Sequence, residues 1–190
     1  MGTQRLIAER YSLVEPLPGS ATGIGWHAQD LWSGQLVAIT RVPVSGLVGH
    51  ELRRAYHEIA GEVRVLSGLQ HDRLVRAMEV VLDGDDLWVV SELIAGVTMA
   101  DELARRGAVG PQEVARWGRD VADTLAVAHG VGVAHRNLHA GMVGLAEDGR
   151  ALLGGFATTV VTLEGLRNGT PVHVAPEVAQ GANPSPAADV

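Results

Sequence analysis

The sequence predicts an α+β fold, in which a strand-rich first part with one helix is joined to a mainly helical second part. Two observations predict it. Short β-rich runs separated by turn residues occupy roughly the first 95 residues and are interrupted by one amphipathic stretch. From Thr98 onward, apolar residues recur at helical spacing instead. The change falls near Ala95 and Gly96, so we expect residues 1–95 and 96–190 to form two parts of one domain.

The first part contains four predicted strands and one helix. Residues 11–14 form a candidate strand, which is followed by a Pro- and Gly-rich turn region. Residues 36–39 form the next β-rich run. A helix is predicted over residues 51–69 because apolar residues recur at nearly helical spacing with charges on the opposite face. Two further strands, 75–82 and 87–93, flank an acidic turn.

The second part is predicted to contain one long helix between Pro111 and Gly130. Pro111 stands where a helix begins, and Gly130 and Gly132 stand where it ends. Beyond Gly132 the sequence returns to short apolar segments separated by turns. The last ten residues are rich in Pro and Ala.

The composition is that of a folded globular protein, and it excludes several kinds of function. The chain has 190 residues, 46% of them hydrophobic, and its net charge of −7 argues against a general nucleic-acid binder. No apolar run reaches the roughly 18 residues of a membrane span, so we expect no membrane span. The absence of cysteine fits the cytoplasmic location that we expect. Without cysteine there is no disulfide and no thiolate nucleophile. All 15 Lys+Arg residues are arginine, so no ammonium side chain is present to hold a phosphate.

Several short motifs follow one another in a fixed order. They are the glycine-containing segment 17–28, Val37-Ala38-Ile39-Thr40, Val90-Ser91-Glu92-Leu93, His135-Arg136-Asn137, Gly154-Gly155-Phe156-Ala157 and Ala175-Pro176-Glu177. Their order and spacing resemble those of the serine/threonine protein kinases, and most closely the bacterial ones. The resemblance implies a protein-kinase-like two-lobe fold, with a β-rich N-lobe over 1–95 and a mainly helical C-lobe over 96–190. It also implies that the sequence stops near the start of the family's helix αF.

Four positions that carry the chemistry of phosphoryl transfer in this family have changed. Thr40 stands in place of the lysine that contacts the ATP phosphates, and Asn137 in place of the aspartate that accepts the substrate proton. Met142 and Gly155 stand in place of the two magnesium ligands. An uncharged amide is no general base, and a thioether is a weak ligand for magnesium. The resemblance therefore implies a pseudokinase with no catalytic residue and no metal site.

Framework positions of the family are kept. They are Glu62, His135, Arg136, Phe156, Glu177 and Asp189. Glu62 resembles the glutamate of the family's helix αC, but its lysine partner is missing, so it is also explained as an ordinary helix carboxylate. Asp189 is expected to cap the backbone of the loop that contains His135. Arg136 resembles the arginine that receives a phosphate from the activation segment.

Weak binding of ATP remains open, and no other cofactor is expected. The candidate contacts are Gly19, Gly23, Ala38, Glu92 and Leu93. Only Gly23 stands in register with the family's glycine-rich loop, so an ordinary hairpin explains this loop equally well. Main-chain groups of Glu92 and Leu93 could still form hydrogen bonds with an adenine, because main-chain recognition does not depend on the side chain.

The function predicted from the sequence is that of a regulatory or scaffolding binding module in signalling. Its expected partner is a protein, such as an active kinase or a phosphothreonine-binding domain. The candidate phosphorylation sites are Thr158, Thr159, Thr162 and Thr170, although β-propensity alone also explains threonine here. Two alternatives stay open: a serine/threonine kinase with an atypical residue set, and a nucleotide-binding switch without catalysis.

Overall fold

The structure, a computed structural model, describes residues 5–17, 25–44, 46–94, 96–158, 175–182 and 184–189. Its first part is built on a six-stranded antiparallel sheet with the strand order β1-β2-β3-β4-β6-β5. The strands are β1 (Leu6–Ile7), β2 (Tyr11–Pro16), β3 (Gly25–Asp30), β4 (Leu36–Val42), β5 (Ala77–Asp83) and β6 (Asp86–Glu92). The predicted strand-rich first part is confirmed.

Helix α1 (His50–Ser67) packs against one face of this sheet. Its buried side chains recur every three or four residues, which is why the helix can cover the sheet with a single apolar face. They are Leu52, Ala55, Ile59, Val63 and Leu66. Ile59 and Val63 share a buried cluster with Val42 of β4 and Val89 of β6. The predicted helix over residues 51–69 is therefore confirmed to within two residues at each end.

The second part contains the helices α2 (Met99–Arg106) and α3 (Pro111–Gly130) and a three-stranded sheet. That sheet consists of β7 (Val97–Thr98), β8 (Val143–Leu145) and β9 (Ala151–Leu153). Two 3₁₀ helices, Ala140–Met142 and Pro186–Asp189, and the short helix Pro176–Ala179 complete it. The bounds predicted for the long helix, Pro111 and Gly130, agree with those of α3.

A reciprocal cap explains where α2 begins. The Thr98 hydroxyl accepts a hydrogen bond from the Asp101 N–H at 3.1 Å, and the Asp101 carboxylate accepts one from the Thr98 N–H at 3.2 Å. Two of the N–H groups that a helix start leaves unpaired are thereby satisfied. No helix among the described residues is long and apolar enough to cross a membrane.

Strand β3 was not predicted, because its first residues were assigned to a glycine-rich turn. Residues 25–28 lie in β3, where Gly25 pairs with Thr40 and Ala28 pairs with Val37. The acidic turn is also shorter than predicted. Asp83 ends β5 and Asp86 begins β6, so only two residues connect the strands.

Contacts between the two parts hold the candidate site. Leu66 of α1 lies in one buried cluster with Phe156 and with Leu153 of β9. The Val75 N–H donates to the Leu153 carbonyl at 2.9 Å, and the Leu153 N–H donates to the Arg73 carbonyl at 2.8 Å. The segment that precedes β5 is therefore joined to the small sheet of the second part.

Candidate functional site

A central loop, residues 131–139, follows α3 and is anchored by the buried carboxylate of Asp189. The Asp189 side chain is 1% exposed and accepts three hydrogen bonds. Two come from the backbone N–H groups of His135 and Arg136, both at 2.7 Å. The third comes from the His129 Nε2, at 2.9 Å. Asp189 thus caps the backbone of the central loop, which is the position that the family resemblance implied.

His135 joins the central loop to the segment that contains Gly154 and Phe156. Its Nε2 lies 2.7 Å from the Gly154 carbonyl, and its Nδ1 lies 3.4 Å from the Asn137 backbone nitrogen. A carbonyl can only accept, so Nε2 carries the proton and Nδ1 accepts. The imidazole packs against the Phe156 ring with 4.6 Å between centroids. Burial lowers the pKa of His135, which keeps the ring neutral.

This buried histidine makes stability depend on pH. Since its folded pKa is lowered, the unfolded chain binds the extra proton first, and stability is lost as pH falls through the unfolded value of about 6.5. We expect the free energy of unfolding to fall between pH 7 and 5.5 with a slope of up to about 1.4 kcal/mol per pH unit from this residue. Urea denaturation across that range measures it. His135→Gln should reduce the slope and the exposed His50→Gln should not; an unchanged slope in His135→Gln would refute the assignment.

The Met142 side chain lies in the space beside Gly155, the other position at which the resemblance places a magnesium ligand. Gly155 has a φ of +80°, and a Cβ built on it would overlap the Met142 Sδ and lie 3.2 Å from the Met142 Cγ. The methionine side chain therefore occupies the space where the side chain of an aspartate would begin. The pair offers one thioether and no oxygen side chain, so these residues do not fit magnesium. Among the described residues, no group of three or more His, Asp or Glu side chains is arranged to hold a metal ion.

Thr40 faces the same side of the sheet as helix α1. Side chains alternate along a strand, so Thr40 shares its face with Ala38 and Val42, and Val42 packs in the α1 cluster. Arg41 points to the other face, where its guanidinium lies 3.5 Å from Asp86. No positive side chain replaces the missing lysine from β4.

Glu62 has a partner that the sequence did not predict. Its carboxylate forms an ion pair and a hydrogen bond with the Arg136 guanidinium, although the two residues are 74 positions apart. The lysine partner is absent, as the sequence shows, but Arg136 is a different cationic partner, so Glu62 is more than an ordinary helix carboxylate. Burial of Glu62 raises its pKa, and the neighbouring Arg136 opposes this shift. The same contact occupies the arginine that the resemblance assigned to a phosphate.

In the segment that connects the two parts, fewer main-chain groups are available for hydrogen bonds with a ligand than predicted. The Glu92 N–H donates to the Arg76 carbonyl at 3.0 Å, so it is not available to an adenine. The Glu92 carboxylate is also engaged, by Arg76 at 2.8 Å. Ala38 pairs with Ser91 and is buried in the sheet. Leu93 belongs to no strand, and its role as a nucleotide contact stays a prediction.

One candidate phosphorylation site has a buried hydroxyl. Thr158 is 7% exposed, and its hydroxyl donates to the Gly155 carbonyl at 2.6 Å. A kinase would have to extract this side chain before it could modify it. Thr159, Thr162 and Thr170 lie outside the described residues, as do Gly19 and Gly23. Glu177 is exposed on the short helix Pro176–Ala179.

This fold and these motifs define the class of protein. Residues 21–190 match the family model of the protein kinase domain, and the chain belongs to this family. The predicted membership of the bacterial serine/threonine protein kinases and the predicted two-lobe kinase fold are both confirmed.

Relatives and solved structures agree with this family. The chain is 32% identical to the serine/threonine-protein kinases PkaA, over 203 residues, and PkaB, over 200 residues, both from Streptomyces coelicolor. The alignments cover 98% of this chain but 37% and 47% of those proteins, so the chain spans less than half of their length. The kinase domain of Mycobacterium tuberculosis PknI has a similar fold. It is 23% identical, with a TM-score of 0.74 that covers all of this chain and 72% of the PknI chain.

Proposed function

We propose that this chain is a catalytically inactive protein-kinase-like domain, a pseudokinase that acts as a regulatory or scaffolding binding module. The observation that carries the proposal is the packing of Met142 into the space at Gly155. A missing ligand could be replaced by water or by a neighbouring carboxylate, but here an apolar side chain fills the position itself. The proposal therefore includes no cofactor beyond weak ATP binding.

The size of the lost interactions supports inactivity. Each lost charge-assisted contact is worth about 1.5–3 kcal/mol, and about 1.4 kcal/mol is tenfold in rate. Loss of the lysine at position 40 and of a magnesium ligand could therefore cost roughly a hundredfold to ten-thousandfold, without assuming additivity. Asn137 cannot act as a base, and general acid–base catalysis commonly contributes about 10²–10⁴ more.

The intact framework supports a binding role. The contacts of Asp189 with the central loop and of His135 with Gly154 are formed, although none of them supplies phosphoryl-transfer chemistry. They hold the loop and the segment after β9 in one arrangement, which is what a partner needs in order to recognise a surface. The proposed partner is a protein, either an active serine/threonine kinase or a phosphothreonine-binding domain that reads one of the threonines Thr159, Thr162 or Thr170.

Thermal unfolding with ATP, with and without magnesium, tests the proposal. We expect Mg–ATP to bind no tighter than about 1 mM. At about 1 mM ligand, stabilisation is then at most about 0.4 kcal/mol, a shift of under about 2 °C for a domain of this size. A dissociation constant of about 1 μM would instead add about 4 kcal/mol, a shift of roughly 10 °C.

Controls separate the remaining alternatives. Magnesium chloride alone and sodium sulfate at equal ionic strength account for salt effects on stability. A large shift that needs magnesium would contradict the proposal and support a kinase with an atypical residue set. A large shift that does not need magnesium would contradict the absence of a cofactor and support a nucleotide-binding switch.

A further inference from the structure

We propose that the ion pair between Glu62 and Arg136, the α1–loop ion pair, holds helix α1 against the central loop without any nucleotide. It is a conformational device built into the fold. In this arrangement the arginine of the loop supplies the positive charge that the β4 strand no longer provides.

Two hydrogen bonds fix Arg136, the residue of the ion pair that lies in the central loop. The Arg136 backbone N–H donates to the buried Asp189 carboxylate, and the Arg136 Nε donates to the Ala134 carbonyl at 3.3 Å. The residue also has a φ of +67°, a conformation that non-glycine residues rarely adopt and that the surrounding contacts must maintain. The guanidinium is therefore positioned before it meets Glu62, so little side-chain entropy is lost on pairing.

Glu62, the residue of the ion pair that belongs to the helix, lies beside the buried face of α1. Glu62 precedes Val63, which packs on the large sheet, and Leu66, which packs with Phe156 of the second part. The two side chains of the ion pair are 25% and 14% exposed. Because they are partly withdrawn from water, their attraction is screened less than that of a surface pair. Glu58 also acts on Glu62 through space, and its repulsion makes the Arg136 charge more important.

Among the described residues, the cationic side chains on β4 and α1 do not compete for Glu62. Thr40 is uncharged, Arg41 lies near Asp86 on the other face of the sheet, and Arg54 pairs with Glu58 at 2.8 Å. Arg136 is thereby committed to α1 rather than to a phosphate. A partner would meet one arrangement of α1 and the loop, whether or not ATP is present. The inference rests on the proposed function only in that last respect.

Hydrogen exchange of the full chain, measured without nucleotide, tests the α1–loop ion pair. In Arg136→Gln and in Glu62→Gln, amides in the second half of α1, residues 59–66, are expected to exchange about tenfold faster. Amides of α3, residues 120–129, are expected to keep their rates. The double variant is expected to exchange no faster than either single variant, because both lose the same interaction. Arg54→Gln, which removes the exposed ion pair on the same helix, is the matched control and should leave residues 59–66 unchanged.

Three results would overturn the inference: unchanged exchange in α1, equal acceleration in α1 and α3, or an effect of about a hundredfold in the double variant. Equal acceleration would mean that the substitutions lower only global stability. A hundredfold effect would mean that the two side chains act independently. Because nucleotide is absent from this experiment, its failure would leave the ATP titration valid, and the reverse also holds.

Discussion

Replacing Asp189 by alanine is expected to lower the free energy of unfolding by about 3–5 kcal/mol. The carboxylate is buried and accepts hydrogen bonds from the backbone of His135 and Arg136 and from the His129 ring. Alanine would leave the buried N–H of His135 and the partly buried N–H of Arg136 without an acceptor. An unpaired buried group costs about 1–3 kcal/mol. Urea denaturation monitored by circular dichroism measures the change.

The control for Asp189 is the exposed Asp148, whose carboxylate meets Arg150 at the surface. Asp148→Ala is expected to change stability by less than about 1 kcal/mol, since exposed pairs contribute little. The loss of stability in Asp189→Asn should lie between those of Asp148→Ala and Asp189→Ala. An amide keeps one acceptor oxygen, but its own N–H groups would face a backbone N–H. A loss below about 1 kcal/mol in Asp189→Ala would show that the central loop does not depend on this cap.

Restoring an aspartate at position 155 is expected to destabilise the domain by about 2–3 kcal/mol. Two costs add: a side chain at a φ of +80°, about 1–2 kcal/mol, and displacement of the Met142 thioether from its packed position. The second cost disappears when Met142 is shortened. In a Met142→Ala background, Gly155→Asp should therefore cost about 1–2 kcal/mol less than it does in the original sequence.

This coupling has a functional consequence. We expect that a single substitution does not rebuild the magnesium position, because the new side chain would compete with Met142 for the same space. Chemical denaturation of the two single variants and the double variant gives the coupling energy directly. Additivity within about 0.5 kcal/mol would mean that Met142 moves aside freely and does not block the position.

Much of the fold could be predicted because local signals and packing agree. Pro111 and Gly130 are a start signal and a stop signal, and α3 has those bounds. The apolar spacing around Ile59 and Val63 predicted α1, since one helix face covers the sheet. Strand β3 was missed because glycine at position 25 is a turn signal, and only pairing with Thr40 makes it a strand residue.

The candidate site could be predicted as a set of positions but not as a set of contacts. The order of the motifs located Thr40, Asn137, Met142 and Gly155. The partner of Glu62 could not be read from the sequence, because the ion pair depends on how the central loop is held by Asp189. The overlap of Met142 with position 155 likewise depends on the backbone conformation of Gly155.

The contacts of the Thr158 side chain also could not be predicted from the sequence. Thr158 was a candidate phosphorylation site because the segment after Ala157 contains several threonines. The chain turns at Ala157, which has a φ of +60°. The hydroxyl then reaches the Gly155 carbonyl and is buried. A pattern of threonines cannot reveal such burial, since it is caused by the tertiary arrangement around them.

The central claim is that this kinase-family domain does not transfer phosphate, and transfer from γ-labelled ATP tests it most directly. The purified chain is incubated with magnesium or manganese and a general protein substrate, beside an Asn137→Ala variant prepared identically. We predict turnover at least about ten-thousandfold below the roughly 1–100 s⁻¹ of active protein kinases, and the same residual signal in both proteins. Incorporation that scales with the concentration of the chain and falls in Asn137→Ala would contradict the claim.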